Sequence, residues 1–327
     1  MSATISAGVG LWLDRPPEDA LHTAALADEL DYPNLWIGEM ATYDAFALAT
    51  AIALGTRRIP LTLGPLAVTV RDPVMIAMGV ASVANLTRRR VDVALGTSSR
   101  TVVEEWHGRS RAGSSAALAE TATALRPLLD GDRAEIAGTA VRTAGYRLRL
   151  DPPKSAIAVA AFGEMAIEAA ATRADRMVVN LVSAEAAGQL RERLAEAAGR
   201  AGRPVPPLTA WLPAAVDPTE ESLLQVNRGL VPYLAAPGYS RMFTEAGYGE
   251  VVELARGEPR PQEVLAALPL DVVETVGLVG PAEVVERRIA AYLDAGVDEI
   301  AIVPATAGDP GGRRTLQAVK EMPCARG

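Results

Sequence analysis

Short apolar runs and longer amphipathic runs alternate along the whole chain. "TISAGVGLWL" reads as a strand, and "PPEDALHTAALADEL" behind it opens on prolines and acids before continuing in helix formers, as helix starts do. "NLWIGE" is a second short strand. Asp44 is placed to cap the helix "AFALATAIAL", and Gly55 stands where a left-handed residue would close it. "RIPLTLGPLAVTV" is the third strand, and Ile76, Val80 and Val83 recur at helical spacing in the segment that follows it. "RVDVALGT", "SAIAVAAFG", "RMVVNLVS", "PLTAWLPAAV" and "DEIAIVP" continue the strand series, with helical patterns between them. The last of these helices has Pro281 at its start, Val285, Ile289, Tyr292 and Leu293 on one face, and Gly296 at its end. Two segments interrupt the rhythm. Residues 131–150 read as an inserted hairpin, and residues 218–275 as a helical excursion after the seventh strand, broken by Pro232, Pro237, Gly238, Gly247 and Gly249.

Strands that alternate with helices predict a parallel sheet, and eight such units predict a closed (β/α)8 TIM barrel of mixed α/β class, one domain over residues 1–327. The alternative, a doubly wound open sheet, lacks its G-x-G-x-x-G fingerprint after the first strand. In a barrel the chemistry lies at the carboxyl ends of the strands. That rule selects Trp12, the Gly38-Glu39-Met40 turn, Leu66 to Arg71, Thr97 to Arg100, Phe162-Gly163 and Asn180 to Ser183.

Composition narrows the classes. The chain has 327 residues, 49% of them apolar, enough for a large core. A net charge of −8 disfavours a nucleic-acid surface. One cysteine, Cys324, excludes an internal disulfide framework and fits a cytoplasmic location. No signal peptide pattern opens the sequence, and no run approaches the roughly 20 apolar residues that span a bilayer. Two histidines and one cysteine are too few for most zinc or iron constellations, so no metal is expected.

Three stretches carry candidate chemistry. In "LTLGPLAVTVRDP" the Gly64-Pro65 pair interrupts an otherwise buried strand, which marks a bulge or a close backbone approach. In "VAAFGEM" the amides of Ala161, Phe162 and Gly163 open a helix, a place where a phosphate binds without a basic side chain. In "GTSSRTVVEEWHGRSR", Thr97, Ser98 and Ser99 offer hydroxyls, while Arg100, Arg109 and Arg111 form a basic stretch that either meets an anion or pairs with Glu104 and Glu105. His107 is a candidate proton carrier. A Ser-His hydrolase built on Ser98, Ser99 and His107 lacks both a G-x-S-x-G elbow and an orienting carboxylate.

The stretches "LWIGE", "GTRRIPLTLGPLAVTVRDPVMIA", "NLTRRRVDVALGTSS", "EEWHG", "LRPLLDG", "VAAFGEMAIEAA" and "VGPAEVVERRIAAYLDAGVDEIAIVP" together resemble the bacterial-luciferase-like superfamily of flavin- and coenzyme F420-dependent oxidoreductases. The resemblance implies a non-prolyl cis peptide at Leu66–Ala67, propping the redox ring, and a cofactor phosphate at Ala161-Phe162-Gly163. It adds Thr69 and Asn180 to Leu66, Ala67, Thr97, Ser98 and Ser99 as cofactor-binding candidates. It further implies coenzyme F420 as cofactor, FMN as the alternative, a small and largely apolar substrate, a homodimer, and a separate cofactor reductase in some members. Glu39 and His107 are the catalytic candidates, with Trp12, Met40 and Trp106 around the substrate. One departure matters: deazaflavin members commonly place His after the acidic residue of the second strand, where this chain has Met40. The sugar-phosphate branch is disfavoured because Ser99 stands where it carries a carboxylate. The readings drawn from this resemblance are an F420-dependent hydride-transferring oxidoreductase, an FMN-dependent monooxygenase, and a catalytically inactive cofactor-binding protein.

Overall fold

A computed structural model describes residues 4–39, 41–257, 259–269 and 271–323; Met40 and Cys324, singled out above, lie outside the described residues. Eleven strands appear among these residues: β1 Thr4–Val9, β2 Leu35–Ile37, β3 Leu61–Ala67, β4 Val91–Gly96, β5 Ala134–Ala137, β6 Arg142–Tyr146, β7 Ile157–Ala160, β8 Arg176–Asn180, β9 Leu208–Val216, β10 Leu278–Gly280 and β11 Glu299–Pro304. Nine form one sheet in the order β10-β9-β11-β1-β2-β3-β4-β7-β8, and pairing of β8 with β9 closes eight of them into the (β/α)8 barrel that the alternation predicts. The ninth, β10, adds to β9 at Ala214–Val216, beyond most of the stretch where β9 pairs with β11. Its three residues carry too short a pattern to be read from sequence. Strands of such a barrel are covered on both faces, which is why they read as apolar runs rather than as alternations.

Contacts cluster the chain into two compact units. One spans Pro33–Val178 and Glu192–Leu208. It carries β2 to β7 with their helices, and its local signals are mostly side-chain caps. Asp44 accepts from the amides of Phe46 and Ala47, each at 3.0 Å, and so starts the helix Ala45–Gly55. Gly55 does not close that helix in a left-handed turn; the helix runs through it and Thr56 leaves in extended conformation. Asp72 accepts from the Met75 amide at 2.9 Å and Pro73 follows it, which together start the helix Pro73–Thr87. Ile76, Val80 and Val83 are its buried face. β5 and β6 form an antiparallel hairpin held to the helix Ser114–Asp130 by one carboxylate: Glu120 accepts from the amides of Thr139, Ala140 and Val141 and from the Thr139 hydroxyl, all at 2.8–2.9 Å.

The other unit comprises the residues up to Tyr32, Val179–Arg191, and those from Thr209 onward. Here Glu299 of β11 is buried and receives the hydroxyls of Ser6 in β1, at 2.5 Å, and Thr209 in β9, at 3.0 Å. After β9 come the helices Glu220–Leu234, Tyr239–Phe243, Gly249–Arg256, Pro261–Ala267 and Val272–Val276. They enclose an apolar cluster that includes Leu230, Leu234, Phe243, Val252, Val273 and Val279. Gln225 ties this cluster to the segment after β11: its side-chain oxygen accepts from Thr306 N at 2.7 Å and Ala307 N at 3.0 Å. Among the described residues no helix is long and apolar enough to cross a membrane, and no group of three or more His, Cys, Asp or Glu side chains is placed to hold a metal ion.

Candidate active site

The third strand answers to its Gly-Pro pair. β3 pairs with β4 in register up to Leu63 and resumes at Leu66, and the break between them is a bulge. Gly64 sits at φ +116, and a Cβ there would lie 2.3 Å from the carbonyl oxygen of Ala94. Only a residue without a side chain fits this approach. The cis peptide falls at Gly64–Pro65, not at Leu66–Ala67; the expected non-prolyl cis bond is displaced two residues upstream to the prolyl bond. Leu66 and Ala67 are buried, and Ala67 O then accepts the amides of Val70 and Arg71, each at 2.9 Å, which folds the strand end into a turn. The Thr69 hydroxyl in that turn is buried and has no hydrogen-bond partner, as has that of Thr42 in the segment after β2.

That turn delivers Arg71 to Glu39. The guanidinium donates from Nε to Glu39 Oε2 at 2.9 Å and to Oε1 at 3.1 Å, and from Nη2 to Oε1 and to Asp44 Oδ2. It also lies 5.0 Å over the Phe46 ring. Hydrogen bonding to Glu39, and next to Asp44, drives the Arg71 pKa well above its ordinary value despite partial burial. Burial pushes the Asp44 carboxyl up, but the donors of Ala47, Arg71 and Phe46 outweigh it and leave it below the ordinary carboxylate range. Sequence reading placed Arg71 in the strand-three turn without a role; its partner lies 32 residues away, and no local signal connects the two.

After β4, Ser98 adopts φ +57 and the Ser99 hydroxyl accepts from Val102 N at 3.2 Å, starting the π-helical turn Thr101–Trp106. Thr97 is partly buried and Ser99 exposed. His107 and Trp106 are exposed, Trp106 at 50%, so this aromatic does not form an enclosed wall within its unit. Arg100 pairs with Glu104 at 3.3 Å, the ordinary fate of a surface charge, whereas the Arg111 Nε is buried without a hydrogen-bond partner. At β7, Ala161 is buried and its amide is spent on Val178 O. Gly163 caps the helix Glu164–Arg173 in extended conformation with no side-chain hydrogen bond, and a Cβ on it would meet nothing within 4 Å. The Arg193 guanidinium reaches the Phe162 carbonyl at 3.5 Å.

Trp12 and Asn180 belong to the other unit. Trp12 donates its indole N–H to Pro304 O at 3.1 Å, and its ring lies against Gly229, where a Cβ would be 3.0 Å away. Asn180 ends β8 and hydrogen-bonds the side chains of both Tyr233 and Tyr239, whose rings meet edge-on with centroids 5.0 Å apart. Burial raises both tyrosine pKa values, so both hydroxyls stay protonated. These tyrosines stand more than 50 residues from Asn180 and were not legible as its partners.

The chain belongs to the luciferase-like monooxygenase family, whose model matches residues 2–299. It is similar to a Mycobacterium tuberculosis protein that bears the provisional name of a coenzyme F420-dependent oxidoreductase, 25% identical over 95% of this chain and 97% of that one. Among solved structures, an F420-dependent secondary alcohol dehydrogenase in complex with an F420-acetone adduct superposes with a TM-score of 0.82 at 17% identity over 100% of both chains. The oxygenating constituent of 3,6-diketocamphane monooxygenase from Pseudomonas putida, in complex with FMN, does so with a TM-score of 0.74 at 17% identity over 98% of this chain and 97% of that chain. Members of the fold thus bind F420 or FMN.

Proposed function

We propose that this protein is a coenzyme F420-dependent oxidoreductase that acts on a small, largely apolar organic substrate. The observation that carries the reading is the bulged end of β3, where Gly64 admits a close backbone approach and the buried Thr69 hydroxyl is left without a partner. An orphaned buried hydroxyl costs about 1–3 kcal/mol unless a ligand answers it, so its place in this turn fits a bound cofactor. F420, when bound, supplies two-electron hydride chemistry. The residues that would hold it are those of the unit containing β3: Leu66, Ala67 and Thr69 after β3, Thr97, Ser98 and Ser99 after β4, and the helix start at Phe162 and Gly163 after β7. An uncapped helix N-terminus without a Cβ in the way accepts a phosphate through its amides and dipole.

Glu39, fixed by Arg71, offers a hydrogen-bond acceptor at the end of β2. His107 is exposed after β4 and is the candidate for exchanging a proton with solvent. Arg109 and Arg111 tilt the choice toward F420, which carries an acidic tail that FMN lacks. Leu54, Met75 and Met78 leave apolar side chains exposed on neighbouring helices, which supports the expected homodimer. Spectral titration of the purified protein with F420 and FMN side by side tests the reading. It requires saturable F420 binding tighter than that of FMN. Tight FMN binding with none of F420 would replace it by the flavin monooxygenase reading, and binding of neither would end both.

A further inference from the structure

The Glu39–Arg71–Asp44 cluster is a built arrangement whose parts come from three places in the sequence. Arg71 is 16% exposed and Glu39 20%, so the pair is shielded from water in a way that surface ion pairs are not. Three features hold the guanidinium in one place. The turn on Ala67 O sets the direction in which the side chain leaves β3. The Phe46 ring lies 5.0 Å beneath the guanidinium, and Phe46 itself fills the space over Gly79, where a Cβ would sit 2.5 Å from the ring. Asp44, immobilised as the cap of the helix Ala45–Gly55, accepts from the same Nη2 that donates to Glu39.

The two Glu39 oxygens are left unequal. Oε1 accepts from Arg71 Nε and Nη2 and lies 3.3 Å from the Ala45 amide, so its capacity is filled. Oε2 shares the single Nε–H of Arg71 with Oε1, at 2.9 Å, and accepts from no other group among the described residues. A carboxylate oxygen takes about two donors, so Oε2 retains room for one more. We infer that Arg71 is a positioning residue that locks Glu39 in one rotamer, making it a fixed acceptor that presents Oε2 to an N–H or O–H of the bound cofactor.

The inference rests on the F420 reading. Its test is the binding of F420, followed by fluorescence, to wild type, Glu39→Gln, Arg71→Met, Arg71→Lys and the double variant Glu39→Gln/Arg71→Met, with a thermal melt of each. Arg71→Met is expected to weaken F420 about tenfold, as does Glu39→Gln, and the double variant is no weaker than the weaker single variant, because residues that act through one contact are non-additive. Arg71→Lys keeps the charge without the fork and recovers part of the loss. Asp44→Asn, which retains the cap oxygen, is the milder variant should Arg71→Met not fold, and it weakens F420 in the same direction by a smaller factor. If both single losses multiply to about a hundredfold, or if Arg71→Met melts earlier yet binds F420 like wild type, Arg71 is structural only and the inference is overturned. If wild type binds FMN alone, FMN becomes the probe and the same non-additivity is required. Wild type binding neither cofactor defeats the functional reading itself, and the inference with it.

Discussion

Replacing Gly64 with alanine tests whether the bulge in β3 is as tight as its geometry says. Two costs add. The backbone stands at φ +116, outside the regions open to a residue with a Cβ, and holding a non-glycine residue in such a place costs about 1–3 kcal/mol. The new Cβ would also lie 2.3 Å from Ala94 O and 2.6 Å from Leu66 N, both backbone atoms that cannot swing away. Relieving that contact moves β3 against β4 by most of an ångström, an overpacking cost of about 1–3 kcal/mol. The expected loss is therefore about 2–6 kcal/mol, a large share of the roughly 5–15 kcal/mol that stabilises a natural fold. Urea denaturation followed by circular dichroism reads this as a drop in midpoint at unchanged slope. Gly96→Ala is the matched comparison: its φ is not positive and the nearest atom to its new Cβ is a side-chain carbon, Pro65 Cβ at 3.0 Å, so it should cost about 1 kcal/mol. Equal losses in the two variants, or less than about 1 kcal/mol at Gly64, would refute the argument from backbone approach.

Gly163→Ala should leave the stability read from urea denaturation within about 1 kcal/mol of wild type, since its Cβ meets nothing, while weakening F420 in a fluorescence titration if a phosphate sits on that amide. Asp72→Ala removes the cap of the helix Pro73–Thr87 and should lower stability by about 1 kcal/mol, read from the same urea curves. Glu120 is held down from an ordinary 4.5 to about 2, first by the Thr139 amide and then, against burial, by those of Ala140 and Val141 and the Thr139 hydroxyl. Its depressed pKa means that the stabilisation is complete above pH 4.5 and disappears as pH falls through about 2. Hydrogen exchange in the β5–β6 hairpin should therefore show wild type better protected than Glu120→Gln at pH 6, with the difference closing between pH 4.5 and 2.

How much of this was legible in the sequence depends on how far apart the interacting residues stand. Strands and helices were readable because burial on both strand faces and one helix face writes itself into a local period, as with Ile76, Val80 and Val83. The Asp44 cap was readable because donor and acceptor are two and three residues apart. The bulge was readable from Gly64-Pro65, but which peptide is cis was not, and the bond lies two residues before the place that family resemblance implied. Gly55 was misread because a glycine near a helix end need not be the residue that turns it; Thr56 leaves the helix in extended conformation instead. The Arg71–Glu39 and Asn180–Tyr233–Tyr239 contacts were invisible because they join turns brought together only by the fold.

The candidate chemistry of the β3 unit is tied to its backbone by one short path. Ala67 O receives the amides of both Val70 and Arg71, so the direction of the Arg71 side chain is set by where β3 ends. Where β3 ends is set in turn by the one-residue shift in register between Leu63 and Leu66. A change at Gly64 can therefore reach Glu39 through Arg71, beside the pairing of Leu63 with Ile37 in β2, although no hydrogen bond links Gly64 to either side chain among the described residues. If the lock is the means by which Glu39 is aimed, a Gly64→Ala protein that remains folded in the cold should lose F420 affinity without any loss from Glu39→Gln added on top. If affinity survives in that protein, the turn after β3 tolerates the shift, and the orientation of Glu39 comes from Asp44 and the Ala45–Gly55 helix alone.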